Sequence, residues 1–300
     1  MAKVLVTGGA GFIGSHIVDK LIEQKNEVII IDDLSLGKQE FINPAASFHK
    51  LDIRNFSSIK SLFAGCEVVF HLAADPRLPL SIENPLLTHE INVTGTLNVL
   101  EAARLAGVKK VVFSSSCAIY GDQTLPIKES GLPQPKSPYG LHKLIGEKYM
   151  KLYADLFGLE TVSLRYFNVF GPRKTADGGY PMVIPIFLKQ KKEGQKLTIV
   201  GDGEQTRDYI YVQDVVRANL AAWMSGVKNG EAINIGSGRQ TSVNQIAELI
   251  GGEKENTAPR SGEMRFIEAD ITLAKELLGW EPAIKLEEAI IQLKKDWDVA

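Results

Sequence analysis

Residues 3–15 read KVLVTGGAGFIGS, a short apolar run followed at once by glycines at positions 8, 11 and 14. The apolar run predicts a buried strand over Lys3–Thr7, and the residues after the third glycine predict a helix. Glycines at this turn permit positive φ angles and close packing of the helix on the strand. The start of the helix offers free N–H groups and a partial positive charge to a phosphate. The segment therefore predicts a phosphate-binding strand–turn–helix unit.

An acidic pair follows the second predicted strand. Asp32 stands eighteen residues after the last glycine of the turn, close to the ~20 expected for a carboxylate that binds the adenosine ribose of a dinucleotide. A carboxylate there repels a 2'-phosphate, so the sequence favours NAD over NADP. Capping of the next turn is the simpler explanation of Asp33. Asp52 and Ile53, after the third strand, are candidates for an adenine contact, with a plain turn as the alternative.

The first two thirds of the chain alternate short apolar runs with longer helical patterns, which is typical of a parallel sheet covered by helices on both faces. Strands are predicted over Lys3–Thr7, Glu27–Asp32, Ser47–Lys50, Val68–Leu72, Lys110–Ser114 and Glu160–Arg165, and helices over Gly14–Gln24, Ser57–Phe63, Thr88–Ala106 and Tyr139–Phe157. The strands look apolar enough for both faces to be buried. The expected fold class is α/β, a doubly wound parallel sheet.

A second region begins after Gly171, where prolines and paired glycines indicate irregular chain. Strands are predicted there over Leu197–Val200 and Tyr209–Val212, and helices over Val183–Glu193, Val215–Met224, Val243–Ile250, Ile271–Leu278 and Leu286–Lys295. We expect a smaller α/β domain, with the chain crossing between domains more than once. Residues 1–170 with about 205–237 form the dinucleotide-binding domain, and about 171–204 with 238–300 form the second.

Composition excludes several classes of function. The formal net charge of −2 and a pI of about 6.3 give no reason to expect a nucleic-acid partner. No apolar run approaches the ~18 residues of a membrane helix, so no membrane partner is expected. Cys66 and Cys117 lack the spacings of metal sites and fit a reducing compartment. We therefore expect a cytoplasmic protein without a metal site.

Tyr139 and Lys143 are candidates for the reacting groups. They stand four residues apart at the start of a predicted helix, which places them on one helix face. A tyrosine acting as a base near pH 7 needs its pKa lowered by about three units. A lysine about 4 Å away, helped by the positive nicotinamide of NAD, could supply that shift. A chance i, i+4 pair is the alternative, but the preceding dinucleotide pattern favours a catalytic pair.

Serines end the strand that precedes this helix, in the run SSSCAIYG over residues 114–121. Ligands of open α/β folds bind at the carboxyl ends of the strands. A hydroxyl there can hydrogen-bond a sugar oxygen and relay a proton to Tyr139. Turn formation is the alternative role for such serines. Ser116 is our one candidate.

These motifs together resemble the extended short-chain dehydrogenases that act on nucleotide sugars, most of all the UDP-glucose 4-epimerases. The resemblance covers nearly the whole chain. Its motifs are TGGAGFIGS, Asp32, HLAA over 71–74, Asn92, SSSCAIYG, Tyr139 with Lys143, RYFNVFGPR, GDGEQTRDYIYVQDV and PRSGE.

The resemblance implies NAD as cofactor, a UDP-sugar as substrate, and roles for matching residues. Tyr139 would be the base, Lys143 would hold the nicotinamide ribose and lower the tyrosine pKa, and Ser116 would bridge to the sugar. The implied cofactor-binding residues are Gly8, Gly11, Phe12, Ile13, Gly14, Asp32, Asp33, Asp52, Ile53, Leu72, Ala73, Ala74, Tyr139, Lys143 and Phe167.

The resemblance also implies a set of substrate-binding residues in the later part of the chain. Asn168, Arg207 and Arg260 would bind the UDP diphosphate, and Asp270 would close the uridine pocket. A guanidinium fork suits phosphate oxygens. Surface ion pairs are the alternative for the two arginines.

The expected reaction is 4-epimerisation of a UDP-hexose, UDP-glucose/UDP-galactose or the N-acetylated forms, through a transient 4-keto sugar. Related dehydratases carry an Asp-Glu pair where this chain has Cys117-Ala118, and related decarboxylases usually carry a glutamate near the same place. UDP-glucuronate epimerases and decarboxylases, dehydratases and, from another class, a non-catalytic NAD sensor stay as alternatives.

Two positions leave the sugar open. Ile267 stands where a tyrosine would admit only unacetylated sugars and a smaller residue would admit N-acetylated ones. The loop Asp75–Leu80 is more charged than in many relatives.

The helices Thr88–Ala106 and Tyr139–Phe157 look apolar on more than one side. The apolar residues that suggest this are Leu97, Leu100, Leu141, Leu144 and Leu152. This excess, with the habit of the family, predicts a homodimer built as a four-helix bundle.

Overall fold

The computed structural model of the protein describes residues 1–174, 176, 182–258 and 265–299. Its strands in chain order are β1 (Lys3–Thr7), β2 (Glu27–Asp32), β3 (Ser47–Lys50), β4 (Val68–His71), β5 (Lys110–Ser116), β6 (Glu160–Tyr166), β7 (Asn168–Phe170), β8 (Leu197–Val200), β9 (Thr206–Arg207), β10 (Tyr209–Tyr211), β11 (Asn229–Ile235), β12 (Thr241–Ser242) and β13 (Lys254–Thr257).

Its α-helices are α1 (Phe12–Glu23), α2 (Phe56–Ile59), α3 (Leu78–Glu83), α4 (Pro85–His89), α5 (Gly95–Leu105), α6 (Pro138–Phe157), α7 (Val183–Lys192), α8 (Val212–Met224), α9 (Val243–Ile250), α10 (Thr272–Leu278) and α11 (Leu286–Asp296). Short 3₁₀ turns cover Gln39–Phe41, Lys60–Phe63 and Cys117–Ile119, and a π-helical turn covers Glu90–Thr94. None of the helices in the described part of the chain is long and apolar enough to cross a membrane.

A single seven-stranded sheet organises the larger part of the chain, in the order β11-β6-β5-β4-β1-β2-β3. All neighbouring strands in it are parallel. One apolar cluster, including Val6, Ile30 and Val216, packs on one face. A second cluster, including Leu5, Val69 and Met150, packs on the other face. The predicted doubly wound fold is confirmed.

The order in which successive strands are added to this sheet reverses at β1. β1 pairs with β2 on one side and with β4 on the other, so the connections that leave β1 and β4 run to opposite faces. Such a switch point opens a crevice at the carboxyl ends of the strands. The glycine turn lies there.

The second region has its own apolar core beside the sheet. Phe187, Ile199, Ile246 and Ile290 are buried together in it. Three pairs of short strands, β7 with β10, β8 with β13 and β9 with β12, complete the region. β8 and β10 were predicted from the sequence, whereas β7, β9, β12 and β13, of two to four residues, are too short to carry a clear alternating pattern.

Several predicted boundaries were wrong in informative ways. The expected helix Thr88–Ala106 is interrupted by the π-helical turn Glu90–Thr94. Single π turns within helices are frequent at functional sites. The expected helix at Val215 begins at Val212, directly after β10. β11 was missed because its half-exposed first residues, from Asn229 onward, are polar.

The third strand also differs from expectation. β3 lies at the edge of the sheet, and its residues are exposed or half-buried rather than buried on both faces. Its polar residues suit an edge, where burial is incomplete.

Candidate active site

The glycine turn and the strand ends around it form a cradle, which we define as Gly8–Gly14, Asp32 and Leu72–Ala74. A Cβ atom on Gly8 would lie 2.7 Å from the Ala73 backbone nitrogen, and Gly8 has a φ of +73°. A Cβ atom on Gly14 would lie 2.1 Å from the Gly8 carbonyl oxygen. Backbone therefore meets backbone at positions 8 and 14, and only glycine fits there.

The start of α1 has the properties of an anion site. Gly11 is the residue before the first turn and provides no side-chain cap. The Ser15 N–H donates to Gly11 O at 3.0 Å, while the N–H groups of Phe12, Ile13 and Gly14 have no acceptor among the described residues. Free N–H groups at a helix start bind phosphate oxygens. The cradle therefore fits the diphosphate of a dinucleotide.

Asp32 closes the cradle at the end of β2. Its carboxylate accepts hydrogen bonds from the Ala10 N–H at 3.0 Å and the Leu34 N–H at 2.9 Å. Burial raises the pKa of Asp32, and the two N–H donors oppose that rise. A Cβ atom on Gly37 would lie 2.7 Å from Asp32 Oδ1. The carboxylate is thus fixed beside the glycine turn, where a ribose would lie.

Other predicted cofactor residues lie at three different places. Asp33 accepts from the Ser35 N–H at 2.8 Å, the turn-capping contact that was the simpler explanation. Asp52 is ion-paired with Arg54 at 2.5 Å. Ile53 is buried in the core cluster on one face of the sheet.

One more predicted cofactor residue lies at the carboxyl end of the large sheet, where its N–H donates to Ile235 O of β11 at 3.0 Å. Phe167 follows β6 and is buried, with its ring 6.5 Å from that of Tyr120. The structure therefore places Asp32, Gly8–Gly14 and Leu72–Ala74 next to one another in the cradle. The other cofactor residues described so far lie outside the cradle.

A buried hydrogen-bond chain, missed by the sequence reading, holds the Leu72–Ala74 side of the cradle. Thr7 Oγ1 lies 2.7 Å from His71 Nδ1, and His71 Nε2 lies 2.9 Å from Thr96 Oγ1. Thr96 donates to Asn92 O at 2.7 Å, so Thr96 accepts from the Nε2–H of His71. Nδ1 of His71 therefore accepts from Thr7, which in turn accepts from the Ala73 N–H at 3.3 Å.

The neutral state of the His71 ring keeps the hydrogen bonds from Thr7 to Thr96 in the direction just described. Burial and the nearby Lys143 lower the pKa of His71 to about 3, so the ring stays neutral. The only sequence signal was the HLAA motif, and it did not reveal the partner residues.

The residues expected to react meet at the carboxyl end of β5, and we call Ser116, Tyr139 and Lys143 the reacting centre. Ser137 caps α6 by accepting from the Gly140 N–H, and Pro138 occupies the first turn. Both features favour a helix start at this point. Tyr139 therefore lies in the first turn of α6, facing the end of β5.

Lys143 lies one turn further along α6. Its Nζ donates to Ser114 O at 2.6 Å and lies 5.9 Å from the centre of the Tyr139 ring. Ser116 Oγ accepts from the Ala118 N–H at 3.1 Å. The structure thus brings the three predicted catalytic residues together.

Burial dominates the electrostatics of the reacting centre. Burial raises the pKa of Tyr139 to about 12; hydrogen bonding with Ser116 opposes the rise, and Cys117 and Asp75 add to it. Burial also lowers the pKa of Lys143 to about 7, against the influence of Glu147. The expected lowering of the tyrosine pKa is therefore absent from the protein without cofactor, because burial disfavours the charged form of each group.

A further row of contacts extends the reacting centre along α6. Ser115 donates to Glu147 Oε1 at 2.5 Å, and Arg165 donates to both carboxylate oxygens of Glu147 at 2.9 and 2.7 Å. Arg165 also donates to the Tyr120 hydroxyl at 2.6 Å, which donates to Asn234 Oδ1 at 2.6 Å. Glu147 lies one turn after Lys143, and that spacing was the one sequence signal for this missed network.

Two predicted substrate residues lie at the start of β7 and in the chain segment just before β10. Asn168 donates to Asp208 O through its N–H at 3.0 Å and through its side-chain amide at 3.2 Å. Arg207 Nη1 donates to Thr206 O at 2.8 Å. β10 pairs with β7 so that Tyr209 faces Asn168. Asn168 and Arg207 are therefore neighbours, as a shared diphosphate ligand would require.

A buried carboxylate that the sequence did not reveal organises this part of the site. Asp208 accepts from the Ser237 N–H at 2.6 Å, the Ser237 hydroxyl at 2.8 Å and the N–H groups of Gly238 and Ala269 at 3.0 Å. Burial raises the pKa of Asp208, and these donors oppose that rise. One side chain thus fixes two separate loops next to Arg207.

The remaining two substrate predictions have different outcomes. Asp270 accepts from the Thr272 N–H at 2.9 Å, and its own N–H donates to Ile127 O at 2.9 Å. Hydrogen bonding to Thr272 lowers the pKa of Asp270. Arg260 lies outside the described residues.

Cys117 and Ala118, where the resemblance implies an acidic pair in dehydratases, lie directly after β5. Burial raises the pKa of the Cys117 thiol to about 12. The thiol is therefore protonated near neutral pH and supplies no base.

A profile for the NAD dependent epimerase/dehydratase family matches residues 4–236. The chain belongs to this family. The matched segment begins at the second residue of β1 and ends at the residue after β11, so it includes all seven strands of the sheet apart from Lys3.

Members of the NAD dependent epimerase/dehydratase family resemble the chain over nearly its whole length. A putative UDP-glucose 4-epimerase of Methanocaldococcus jannaschii is 47% identical over 298 residues, covering 96% of this chain and 95% of that protein. The crystal structure of UDP-glucose 4-epimerase from Thermotoga maritima with UDP-glucose superposes with a TM-score of 0.93 at 42% identity, covering 99% of this chain and 98% of that one.

A third family member is similar but bears a different name. The UDP-N-acetylglucosamine 4-epimerase of Methanobrevibacter ruminantium, in complex with UDP-N-acetylmuramic acid, has a TM-score of 0.92 at 36% identity and covers 98% of this chain and 99% of that one. Family membership confirms the predicted resemblance and NAD as the cofactor.

Proposed function

We propose that the protein is a UDP-hexose 4-epimerase, an isomerase that acts on UDP-glucose and UDP-galactose. The composition of the reacting centre carries the proposal. Ser116, Tyr139 and Lys143 meet at the end of β5. The two positions after Ser116 hold no carboxylate, since they are Cys117 and Ala118. The centre can exchange the proton of a sugar hydroxyl but lacks the added acid and base of dehydration. The names of the relatives agree with this choice.

Each residue of the reacting centre has a role in this proposal. Tyr139 takes the proton from the sugar 4-hydroxyl and returns it, and Ser116 positions that hydroxyl. Lys143, anchored on Ser114 O at 2.6 Å, holds its ammonium on the side of Tyr139 that faces β5. NAD, when bound, accepts a hydride from the sugar carbon and gives it back, so the reaction involves no net oxidation.

The base needs a positive partner to work at neutral pH. Burial holds Tyr139 protonated and makes Lys143 easy to deprotonate. A phenolate and an ammonium stabilise each other in a buried site, so we expect the two groups to become charged together. The positive charge of the oxidised nicotinamide would further stabilise the phenolate of Tyr139.

We propose the following division of labour along the chain. Residues 1–170 with about 205–237 bind NAD, because the sheet that carries the cradle includes β11. Residues from about 171–204 with 238–300 bind the nucleotide sugar through Arg260 and Asp270, and the first part contributes Asn168 and Arg207. The independent apolar core of the second region supports this division.

We also propose that two copies associate through α5 and α6. Leu141, Leu152 and Leu156 are 46%, 46% and 64% exposed along one side of α6, and Leu105 on α5 is 59% exposed. Leu100, one of the residues that suggested a dimer, is fully buried and belongs to the core. Exposed leucines in a row are typical of a surface covered in an oligomer.

The dimer proposal is tested by light scattering on Leu152→Glu. A buried charge in the interface should produce monomers, whereas Met224→Glu, on the exposed part of α8 (76% exposed), should leave the molar mass unchanged. A molar mass that is the same for wild type and Leu152→Glu would contradict the proposed interface. The cytoplasmic location stays a prediction.

The substrate proposal is tested by NMR. The protein is incubated separately with UDP-galactose, UDP-glucose, UDP-N-acetylglucosamine and UDP-glucuronate, with Tyr139→Phe as control. Interconversion of the glucose and galactose forms, absent from the variant, is the expected result. Stable UDP-glucose and UDP-galactose with NAD still bound would overturn the proposal.

The most specific rival is an epimerase of N-acetylated UDP-sugars. Ile267, 5% exposed and packed with Phe167, lies where the sequence reading placed the determinant of this choice. The M. ruminantium protein favours this rival. The same incubations distinguish the two substrates.

A further inference from the structure

The segment Pro172–Lys174, which leaves the end of β7 toward the second region, lies along one face of α1. His16 Nε2 donates to Pro172 O at 3.1 Å, and Arg173 Nη2 lies 2.8 Å from Asp19 Oδ2. Lys174 Nζ lies 5.4 Å from the centre of the Phe12 ring. Positions 12, 16 and 19 face the same side of a helix. The segment therefore contacts α1 in register, with the lysine nearest the helix start.

The two basic residues of the segment have different surroundings. Arg173 has a carboxylate partner in Asp19, and it adopts a positive φ of 66°, rare for a side chain of its size. Lys174 is half-buried, and among the described residues its Nζ contacts only the aromatic ring of Phe12. Burial lowers the pKa of Lys174, and no carboxylate opposes that shift. A desolvated ammonium without a counter-ion is unfavourable unless an anion binds beside it.

The adjacent helix start is where such an anion belongs. Phe12, against which Lys174 packs, is the first residue of α1. The N–H groups of Phe12, Ile13 and Gly14 have no acceptor among the described residues. An ammonium beside free N–H groups forms a stronger site for phosphate oxygens than either feature alone.

We propose that Lys174 binds the diphosphate of NAD, so that the segment leading into the second region also holds the cofactor in the cradle. Arg173, His16 and Asp19 position the segment. The inference rests on the use of NAD and is independent of which sugar the enzyme accepts. An epimerase returns the hydride to the same sugar and benefits from a cofactor that stays bound.

The test is nucleotide binding to the full-length protein by calorimetry, after removal of bound nucleotide. Lys174→Met keeps the length of the side chain and removes its charge. We expect the dissociation constants of NAD and of ADP-ribose to rise together by about 10- to 100-fold, the range for one charge-assisted hydrogen bond. Lys174→Arg should restore most of the affinity.

Lys20→Met is the matched control, because Lys20 lies near the other end of α1, is exposed and is paired with Glu23. It should change either affinity less than about twofold, as expected for an exposed pair. The midpoint of thermal unfolding without nucleotide should be unchanged or higher in Lys174→Met, since an unpaired cation is removed.

Three outcomes would overturn the proposal. Unchanged affinities would show that Lys174 does not reach the cofactor. A loss for NAD but not for ADP-ribose would place the lysine at the nicotinamide instead of the diphosphate. Lower thermal stability without nucleotide, in step with the lower affinity, would make the lysine a structural residue.

Discussion

The cradle and the reacting centre both lie at the carboxyl ends of the parallel strands, yet they are built in different ways. The cradle is shaped by backbone: a Cβ atom at position 14 would lie 2.1 Å from a carbonyl oxygen. The reacting centre is shaped by side chains whose pKa values burial moves toward the neutral forms, to about 12 for Tyr139 and about 7 for Lys143. The cradle thus has its shape before the cofactor binds, whereas we expect Tyr139 and Lys143 to become fully charged together only with ligands present.

The strongest test of this contrast removes the base. We expect Tyr139→Phe to lower kcat by about 10²- to 10⁴-fold, the usual contribution of a positioned general base, with the NAD dissociation constant nearly unchanged. Tyr149→Phe, a half-buried tyrosine of the same helix, is the control and should retain activity. The contrast would break if Tyr139→Phe lost NAD affinity as severely as it lost turnover.

The pH dependence of stability tests the electrostatic half of the contrast. The pKa of Lys143 is about 7 in the folded chain and 10.5 as its ordinary value. Between these values the unfolded chain holds a proton that the folded chain has released, so the free energy of unfolding rises with pH. The slope is about 1.4 kcal/mol per pH unit for a fully released proton.

Urea denaturation of nucleotide-free wild type and Lys143→Met between pH 7.5 and 9.5 measures this slope. The stability of wild type relative to the variant should rise with pH across that window. Parallel stability curves for the two proteins would show that Lys143 has an ordinary pKa, and the reacting centre would then be charged before ligands bind.

The steric half of the contrast is tested at Gly14. We expect Gly14→Ala to lower the free energy of unfolding by about 1–3 kcal/mol, the cost of overpacking, and to abolish measurable NAD binding. Gly226→Ala is the control, because a Cβ atom there meets nothing within 4 Å. Normal NAD affinity in Gly14→Ala would mean that the cradle adapts to the cofactor and is not rigid.

Asp32 gives the smallest expected effect. Asp32→Asn keeps an acceptor for one N–H group but loses the charge, so we expect about a tenfold weaker binding of NAD, in the range of one charged hydrogen bond. Discrimination against NADP should fall as well. Asp33→Asn should have little effect, because the one hydrogen-bond donor to the Asp33 side chain among the described residues is the Ser35 N–H of its own turn. Equal effects at Asp32 and Asp33 would contradict the assignment of the ribose contact to Asp32.

The sequence predicted the positions of residues well where the signal is local, while the roles of those residues stay predictions. The glycine spacing, Asp32 and the pair Tyr139 and Lys143 are each defined within one strand–turn–helix unit, and the structure places all of them at one edge of the sheet. The doubly wound sheet followed from the alternation of short and long apolar patterns.

The reading failed where partners are distant in sequence. Asp208 collects donors from residues up to 61 positions away, and Arg165 meets Glu147 and Tyr120 from 18 and 45 positions away. No local pattern encodes such pairs. A pairwise charge argument also omits the burial of both groups, which raises the pKa of Tyr139 in the cofactor-free protein, so the expected lowering with NAD bound stays a prediction.

The place of β11 at the edge of the sheet affects how the chain folds as it is made. β11 covers the outer side of β6, although more than sixty residues separate the two strands. When β6 has just emerged from the ribosome, β11 has not yet been made, so the side of β6 away from β5 is unpaired. Unpaired strand edges promote misassociation. Fragments truncated near residue 170 should aggregate during expression, and a self-sufficient cofactor-binding fragment would have to extend past residue 235.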